Sequence, residues 1–347
     1  MIPISTLPLV PSFSKITKDE EKDKYWFMLL KDWQLPKHIK HFPGSHPISI
    51  ERKDLKYLKE NEYDFLVSLK SDGVRYILYM TYRPETDSPV CLLIDRARNM
   101  YEIEIWASED FYKGTIIDGE LLWNLPNEST TTFLAFDILQ LKGETMKKKT
   151  YSERLIVLDN TILGNVFSKT VEDIENEIEE NDKIIAMNNL YNLTIKAKHF
   201  TPTTMLQRLW NDRLTSQYRH DGLIFTKNLD EYKLGSAENS IYKWKPCYSI
   251  DVVIKENKVY CNSFKTGTFE CIETILKHKI ELIKSKLNYS ENDIVECDVQ
   301  KNGNILQLFP MRVRLDKDFP NTMKTIISSC EGVVNKVTIE ELFDLFK

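Results

Sequence analysis

The chain has no C-x-x-C pair, no basic leader, no long apolar run and no excess of positive charge. Each absence removes a class of function. Its six cysteines, at 91, 247, 261, 271, 297 and 330, are scattered, so the paired spacing of a zinc site is missing and reduced thiols in an intracellular protein are expected. The N-terminal stretch Met1 to Pro8 is broken by prolines and lacks the positive n-region of a secretory signal. No apolar stretch reaches the roughly 18 residues of a membrane span. With 47 Lys+Arg against 52 Asp+Glu the formal charge is −5, so no global field holds a long nucleic acid. A nucleic-acid partner has to be met by a local basic cleft, as an enzyme acting on a strand end would do. Internal repeats and low-complexity segments are also missing.

What is present, over 347 residues, is material for about two domains. Residues 1–48 are punctuated by prolines and read as irregular, with a short amphipathic stretch at Tyr25 to Leu30. Ser49 to Glu60 reads as a charged helix. Tyr63, Phe65, Val67 and Leu69 alternate with Asp64, Leu66, Ser68 and Lys70, the period of a strand. Val74 to Tyr82, Val90 to Asp95, Met100 to Ile105, Thr115 to Trp123 and Thr132 to Leu139 follow as further strands. Helices are expected from Ser152, at the acidic run Val171 to Asn181, and over Met205 to Tyr218. Asn192 to His199, Gly222 to Thr226 and Ile241 to Lys245 read as strands. After Pro246-Cys247, short runs (Ile250 to Ile254, Lys258 to Cys261, Ile294 to Val299, Ile305 to Phe309) suggest a small barrel with one helix over Glu273 to Leu287. Thr338-x-x-Glu341 is a capping box ahead of a closing helix with an apolar stripe.

Lys70-Ser71-Asp72-Gly73-Val74-Arg75 stands out. A free lysine is protonated near pH 10.4 and is a poor nucleophile; burial and nearby cations release its amine. Arg75, Lys243 and Lys245 are candidate neighbours. In a strand Lys243 and Lys245 share one face, presenting two ammonium groups to a phosphate while Trp244 points inward. Two further Asp-Gly pairs, Asp118-Gly119-Glu120 and Asp221-Gly222, read as strand–turn positions. Carboxylates opposite lysines and arginines suit a magnesium–triphosphate site, since the hard cation takes oxygen ligands. Arg312 and Arg314, two apart in Met311-Arg-Val-Arg-Leu-Asp-Lys-Asp-Phe-Pro-Asn321, form a candidate phosphate clamp if extended.

In order, Lys70-x-Asp72-Gly73-x-Arg75, Asp118-Gly119-Glu120, Phe136-Asp137, Asp221-Gly222, Lys243-x-Lys245-Pro246 and Arg314-x-Asp316-Lys317 resemble the collinear motifs of the covalent nucleotidyltransferases. These comprise messenger-RNA capping guanylyltransferases and ATP-dependent DNA and RNA ligases. Segments 42–54, 93–96 and 338–347 are similar to the compact capping enzymes of large DNA viruses that infect algae. The resemblance covers roughly residues 42–347 and is weak over 140–215.

The resemblance implies an α+β fold: a nucleotidyltransferase domain (ATP-grasp-like, of the ligase and capping-enzyme type) with antiparallel sheets at 1–245, and a C-terminal OB-fold β-barrel at 246–336. Helix 337–347 is expected to dock back on the first domain. It implies Lys70 attacking the α-phosphate of GTP to leave lysyl-GMP, then transfer of GMP to the 5′-diphosphate end of RNA. Glu120 and Arg75 would sit near the ribose, Phe136 on the guanine, and Lys243 and Lys245 at the α-phosphate. Arg96 would contact the nucleotide. Asp221 and Glu120 would place a divalent metal, Mg²⁺ or Mn²⁺, and Asp72 belongs to the catalytic set. Arg314, Asp316 and Lys317 would orient the leaving pyrophosphate. Expected partners are a separate RNA triphosphatase, a cap methyltransferase and RNA polymerase, with no membrane; the chain is expected to be a monomer in the nucleus, a viral replication compartment or a virion. An ATP-dependent ligase is the alternative, sharing Lys70, Asp72, Gly73, Arg75 and the paired lysines.

Overall fold

The computed structural model describes residues 13–105, 107–123, 131–163, 193–263, 269–274, 276, 278–315 and 317–347. They fall into two compact units. One takes the described residues of Pro8–Ile48 and Asn61–Lys243; the other takes Ser49–Glu60 and Trp244–Lys347. The chain therefore crosses between the units three times among these residues.

The first unit is built on helix α1 (Asp19–Asp32), two large sheets and a two-stranded one that pairs Ser45–His46 with Gly235–Ser236. α1 carries Asp19, Glu20 and Glu21 in its first turn and Lys31 in its last, a charge order that complements the helix dipole. Tyr25, Trp26, Leu29 and Leu30 recur at helical spacing and are buried. They pack with Trp33 in one cluster with Ile77, Tyr79, Leu92, Ile94 and Ile116, each such side chain contributing about 1.5–3 kcal/mol of burial. Residues 1–48 are thus less irregular than expected: the helix extends six residues upstream of Tyr25, through charged residues that show no apolar period.

The strands, in chain order, are β1 (Phe65–Ser71), β2 (Val74–Tyr82), β3 (Pro89–Asp95), β4 (Met100–Ile103), β5 (Thr115–Trp123), β6 (Thr131–Leu141), β7 (Leu193–Ala197), β8 (His220–Lys227) and β9 (Ile241–Trp244). The larger sheet runs β4-β3-β2-β5-β6, with Ser14–Lys15 and Glu144–Thr145 at its ends and β7 parallel to β6. The smaller sheet has the order Thr201–Pro202, β1, β8, β9, Ile48–Ser49. Among the described residues the unit also holds helices α2 (Tyr151–Leu163) and α3 (Leu206–Asp212); α3 continues only as a 3-10 turn, Arg213–Thr215. The expected helix at Val171 to Asn181 lies outside the described residues.

Two expectations are corrected here. Asp118-Gly119 lies in the middle of β5, and Asp221-Gly222 lies inside β8. Both are strand residues next to bulges, not turns. Across β5 and β6 the register moves from Asp118↔Asp137 to Gly119↔Ala135, leaving Phe136 extra. Across β1 and β8 it moves from His220↔Ser71 to Gly222↔Lys70, leaving Asp221 extra. A bulge re-aims the extra side chain, and such bulges concentrate beside functional sites.

In the second unit, β10 (Tyr248–Lys255), β11 (Lys258–Asn262), β12 (Phe269–Cys271), β13 (Lys279–Leu282), β14 (Ile294–Asn302) and β15 (Ile305–Val313) form one sheet ordered β12-β11-β10-β14-β15-β13. Ile250, Val252 and Ile254 alternate into its core with Val295, Cys297 and Val299, covered by Ile326, Cys330 and Val333 of α4 (Met323–Val334). The expected helix over Glu273 to Leu287 is not formed. That stretch holds a 3-10 turn at Ile272–Thr274 and then β13, parallel to β15. Ile280, four residues from Leu276 and so at helical spacing, packs with Leu282 on the sheet core instead.

Helix α5 (Ile339–Leu345) begins at the expected capping box, with Thr338 and Glu341 bonded reciprocally. It buries Leu342. Glu341 also receives Arg52 Nη1 at 2.8 Å, and Arg52 Nη2 donates to Lys336 O at 3.0 Å. The C-terminal helix is thereby tied to segment Ser49–Glu60. No helix among the described residues is long and apolar enough to cross a membrane.

Candidate active site

Lys70 is the sixth residue of β1, and Gly73 makes the turn into β2. A Cβ at Gly73 would lie 2.5 Å from Leu121 O and 2.8 Å from Glu120 Cγ, so only glycine lets the turn lie against β5. Its N–H donates to Glu120 Oε1 at 3.2 Å. The turn is held from the other side by Asp72 N–H, which donates to Arg219 O at 2.9 Å. The Asp72 side chain is exposed.

Between the two large sheets of the first unit lies a cavity of about 150 Å³. Lys70, Arg75, Arg96, Glu120 and Phe136 all line it. Five residues dispersed over more than sixty positions thus meet in one place. Asp221, raised out of register by its bulge, accepts from Lys70 Nζ at 2.6 Å.

Arg75 is fixed more firmly than a ribose contact would require. Its Nε and Nη2 donate to the two oxygens of Asp118 at 2.8 and 2.5 Å, and Nη1 donates to Ser45 O. Its guanidinium lies 5.2 Å from the Phe42 ring and 5.4 Å from the Phe136 ring. Burial opposes the charge, but the Asp118 carboxylate overrides it and holds the arginine pKa above its usual range. Asp118 is fully buried and receives a further hydrogen bond from Tyr232 Oη at 3.0 Å, while Tyr232 Oη accepts from Ser45 N–H at 3.0 Å. One strand over, Asp137 pairs with Arg154, Nε to Oδ1 at 2.7 Å and Nη2 to Oδ2 at 3.0 Å. Two facing buried carboxylates, Asp118 and Asp137, are therefore each matched by a bidentate arginine, the arrangement that makes such burial tolerable.

Sequence reasoning assigns no role to Tyr232, Arg154 or Lys198. Lys198, just beyond β7, lines the cavity and places Nζ 6.0 Å from the Phe136 ring. Burial lowers its pKa, partly offset by Glu120; burial likewise raises the pKa of Glu120, against the pull of Lys198 and Lys70. The alternation of Lys196 and Lys198 is the only signal in the sequence. Arg154 has none, since its partner lies seventeen residues away on another element.

Lys243 and Lys245 flank Trp244, which is buried and donates Nε1–H to Val337 O at 2.7 Å. Lys243 does not line the cavity; Lys245 belongs to the second unit. In that unit Arg314 and Lys317 converge on Asp251: Arg314 Nη1 lies 2.8 Å from Oδ1, and Lys317 Nζ bonds Oδ2. Asn321 joins them, Nδ2 to Oδ2 at 3.2 Å. Arg312 pairs with Glu296 at 2.6 Å. Asp316 lies outside the described residues. No group of three or more His, Cys, Asp or Glu side chains is placed to hold a metal among the described residues. Glu120 and Asp221 supply two carboxylates, enough for Mg²⁺ only where substrate phosphates and water complete the shell.

Residues 10–247 match the family model described as mRNA capping enzyme, catalytic domain, and residues 226–343 that of mRNA capping enzyme, C-terminal domain. The mRNA-capping enzyme of Danio rerio is 28% identical over 322 residues, covering 88% of this chain and 50% of that protein. The mRNA-capping enzyme subunit alpha of Schizosaccharomyces pombe is 29% identical over 334 residues, covering 87% of this chain and 79% of that one. The chain thus spans about half the length of the first of these relatives. Among solved structures, mycobacterial DNA ligase D complexed with ATP and MES aligns at 12% identity and a TM-score of 0.41, over 79% of this chain and 95% of that chain; a likeness at that level has no bearing on activity.

Proposed function

Since the chain belongs to the mRNA capping enzyme family, we propose that it is the guanylyltransferase of cap formation, working through a lysyl-GMP intermediate. The observation that carries this reading is the convergence on one cavity of Lys70, Arg75, Glu120 and Phe136, with Asp221 at 2.6 Å from the lysine amine. Lys70, having given its ammonium proton to solvent, attacks the α-phosphorus of GTP through Nζ. A P–N bond forms with loss of a second N–H proton to solvent, the bond to the bridging oxygen of the β-phosphate breaks, and pyrophosphate leaves. A terminal oxygen of a 5′-diphosphate RNA then attacks the same phosphorus, the nitrogen takes up a proton as the P–N bond breaks, and the lysine regains its amine. Such transfer needs positioning and charge neutralisation more than acid–base work.

Phe136, aimed by its bulge, offers a face for the base, and Arg75 and Glu120 border the ribose. We assign Arg96, Lys243 and Lys245 to nucleotide and α-phosphate contacts, and Arg314, Asp316 and Lys317 to the leaving pyrophosphate. Asp221 and Glu120 would hold the divalent cation, which supplies charge neutralisation on the phosphates. The reaction requires a diphosphate end, so an RNA triphosphatase acts before it and a cap methyltransferase after it. The reading places the protein in the nucleus or in a viral replication compartment. Incubation with α-labelled GTP and Mg²⁺ should label the chain with GMP, and Lys70→Ala should abolish the label. Labelling by ATP in place of GTP would make it a ligase.

A further inference from the structure

A second cavity, of about 280 Å³, lies on the other face of the strand that carries Lys70. Side chains alternate along β1: Ser68 and Lys70 line the nucleotide cavity, and Leu69 and Ser71 line this one. Its basic and aromatic side chains are Lys196, Lys198, His199, Tyr218, Arg219 and His220. Two lysines, an arginine and two imidazoles thus face one space, with no carboxylate in the lining, in a chain whose net charge is −5. Lys198 lines both cavities, so the two meet at one side chain.

Lys196 and Arg219 enter no ion pair among the described residues, whereas Lys198 is drawn by the carboxylates of Glu120 and Asp221, and His199 has Asp159 as a charged neighbour. Lys196 Nζ instead bonds the Tyr218 hydroxyl at 3.3 Å and stands 5.9 Å from the ring centroid. Tyr218 is pinned by Ser216, whose Oγ accepts from Tyr218 N–H at 3.2 Å, and His220 Nε2 meets Arg213 O at 3.0 Å. Arg219 O receives Asp72 N–H, so the basic wall is tied through the backbone to the turn after Lys70. A lining of cations without a carboxylate of its own, with an aromatic ring among them, is the arrangement that tracks a single-stranded nucleic-acid backbone.

We propose that this cavity holds the acceptor: the phosphodiester backbone of the first nucleotides of single-stranded RNA, whose 5′-diphosphate reaches round Lys198 to the guanylylated Lys70. The proposal rests on the guanylyltransferase reading and assigns its second substrate a place. Phosphate chemistry alone would also suit the pyrophosphate product, and the test separates the two.

In the full chain, Lys196→Glu and Arg219→Glu are made singly and together. Lysyl-GMP formation from α-labelled GTP should stay within about twofold of the wild type, and so should its reversal by pyrophosphate. Affinity for a fluorescent 5′-diphosphate RNA of about 16 nucleotides, read by anisotropy, should fall about tenfold or more in the double variant. The salt dependence should become shallower by about 0.7 for each phosphate no longer neutralised. GMP transfer from isolated labelled enzyme should slow in parallel. Unchanged RNA affinity and transfer in the double variant would overturn the proposal, and impaired pyrophosphate reversal with intact RNA binding would reassign the cavity to pyrophosphate. Failure of the wild type to label would instead count against the guanylyltransferase reading, while the anisotropy would still decide whether RNA binds here.

Discussion

Lys70 Nζ lies 2.6 Å from Asp221 Oδ1 because Asp221 is the extra residue of a bulge in β8, opposite the strand that ends just after Lys70. An unbulged β8 would turn the Asp221 side chain to the other face of the sheet, since side chains alternate. The bulge is therefore the local device that brings a carboxylate to the amine. Asp221→Asn keeps the size and loses the charge. Lysyl-GMP formation should fall by ~10²-fold or more, the scale of removing an electrostatic partner from a reacting centre, with the thermal midpoint little changed. A rate within about threefold of wild type would remove Asp221 from the site.

Tyr232 tests the support behind the cavity that Lys70 lines. Its hydroxyl joins Ser45 N–H to Asp118, and Asp118 in turn fixes Arg75. Tyr232→Phe leaves the ring in place and strips one donor from a fully buried carboxylate, a loss of about 1–3 kcal/mol. The midpoint should drop accordingly, and the GTP concentration for half-maximal labelling should rise because Arg75 is less well held. A variant as stable as wild type with unchanged GTP dependence would show that the hydroxyl is idle.

The strands bearing these groups are legible in the sequence because period-2 alternation is a short-range signal. Phe65–Ser71, Val74–Tyr82 and Thr115–Trp123 are found where Phe65, Val67, Leu69 and their successors point to them. The bulges are not legible, because a register shift is a property of two strands: Asp221 becomes extra only against β1, and Phe136 only against β5. Asp-Gly therefore reads as a turn when each strand is considered alone. The Arg154–Asp137 and Tyr232–Asp118 contacts are equally hidden, since they join elements by tertiary packing. At Leu276 and Ile280 the four-residue spacing serves helix and strand alike, and the edge of β15, not the local pattern, decides.

Gly119 carries a steric prediction. A Cβ there would fall 2.3 to 2.9 Å from three ring atoms of Phe133, which is itself fully buried. Overpacking of this kind costs about 1–3 kcal/mol. Gly119→Ala should lower the midpoint, and adding Phe133→Leu should recover part of the loss by making room. No recovery in the double variant would place the strain elsewhere.

Glu120 links pH to stability. Burial raises its pKa above the usual glutamate value of 4.5, against the pull of Lys198 and Lys70. A raised folded-state pKa means that stability is fully present below the unfolded pKa and is lost as pH rises through the folded one. Glu120→Gln removes the titration. The variant should match wild type near pH 4 and become relatively more stable as pH rises, by about 2–4 °C for each kcal/mol recovered, then level off. It should also label poorly with GTP, since Glu120 lines the same cavity as Lys70. A midpoint difference independent of pH between about 4 and 8 would mean that ionised Glu120 suffers no penalty from its burial.

Asp251 is the hub of the second unit's basic motif. Its carboxylate is 8% exposed and receives Arg314, itself 7% exposed, together with Lys317 and Asn321. Three side chains of the segment Met311 to Asn321 thus converge on one residue of β10, which orients Arg314 and Lys317. Removing one partner of such a buried pair leaves the other charge uncompensated, at about 3–5 kcal/mol. Asp251→Ala should therefore destabilise the chain strongly. Asp251→Asn keeps the shape and part of the hydrogen bonding, so it separates folding from function. It should fold with a modest loss of midpoint, because Arg314 keeps Glu296 at 3.6 Å as a second carboxylate. If Arg314 and Lys317 meet the leaving pyrophosphate, Asp251→Asn should slow lysyl-GMP formation and its reversal by pyrophosphate by the same factor, while transfer of preformed GMP to RNA stays unchanged. Equal slowing of all three steps would show that the variant disturbs the protein as a whole and not the arginine–lysine pair.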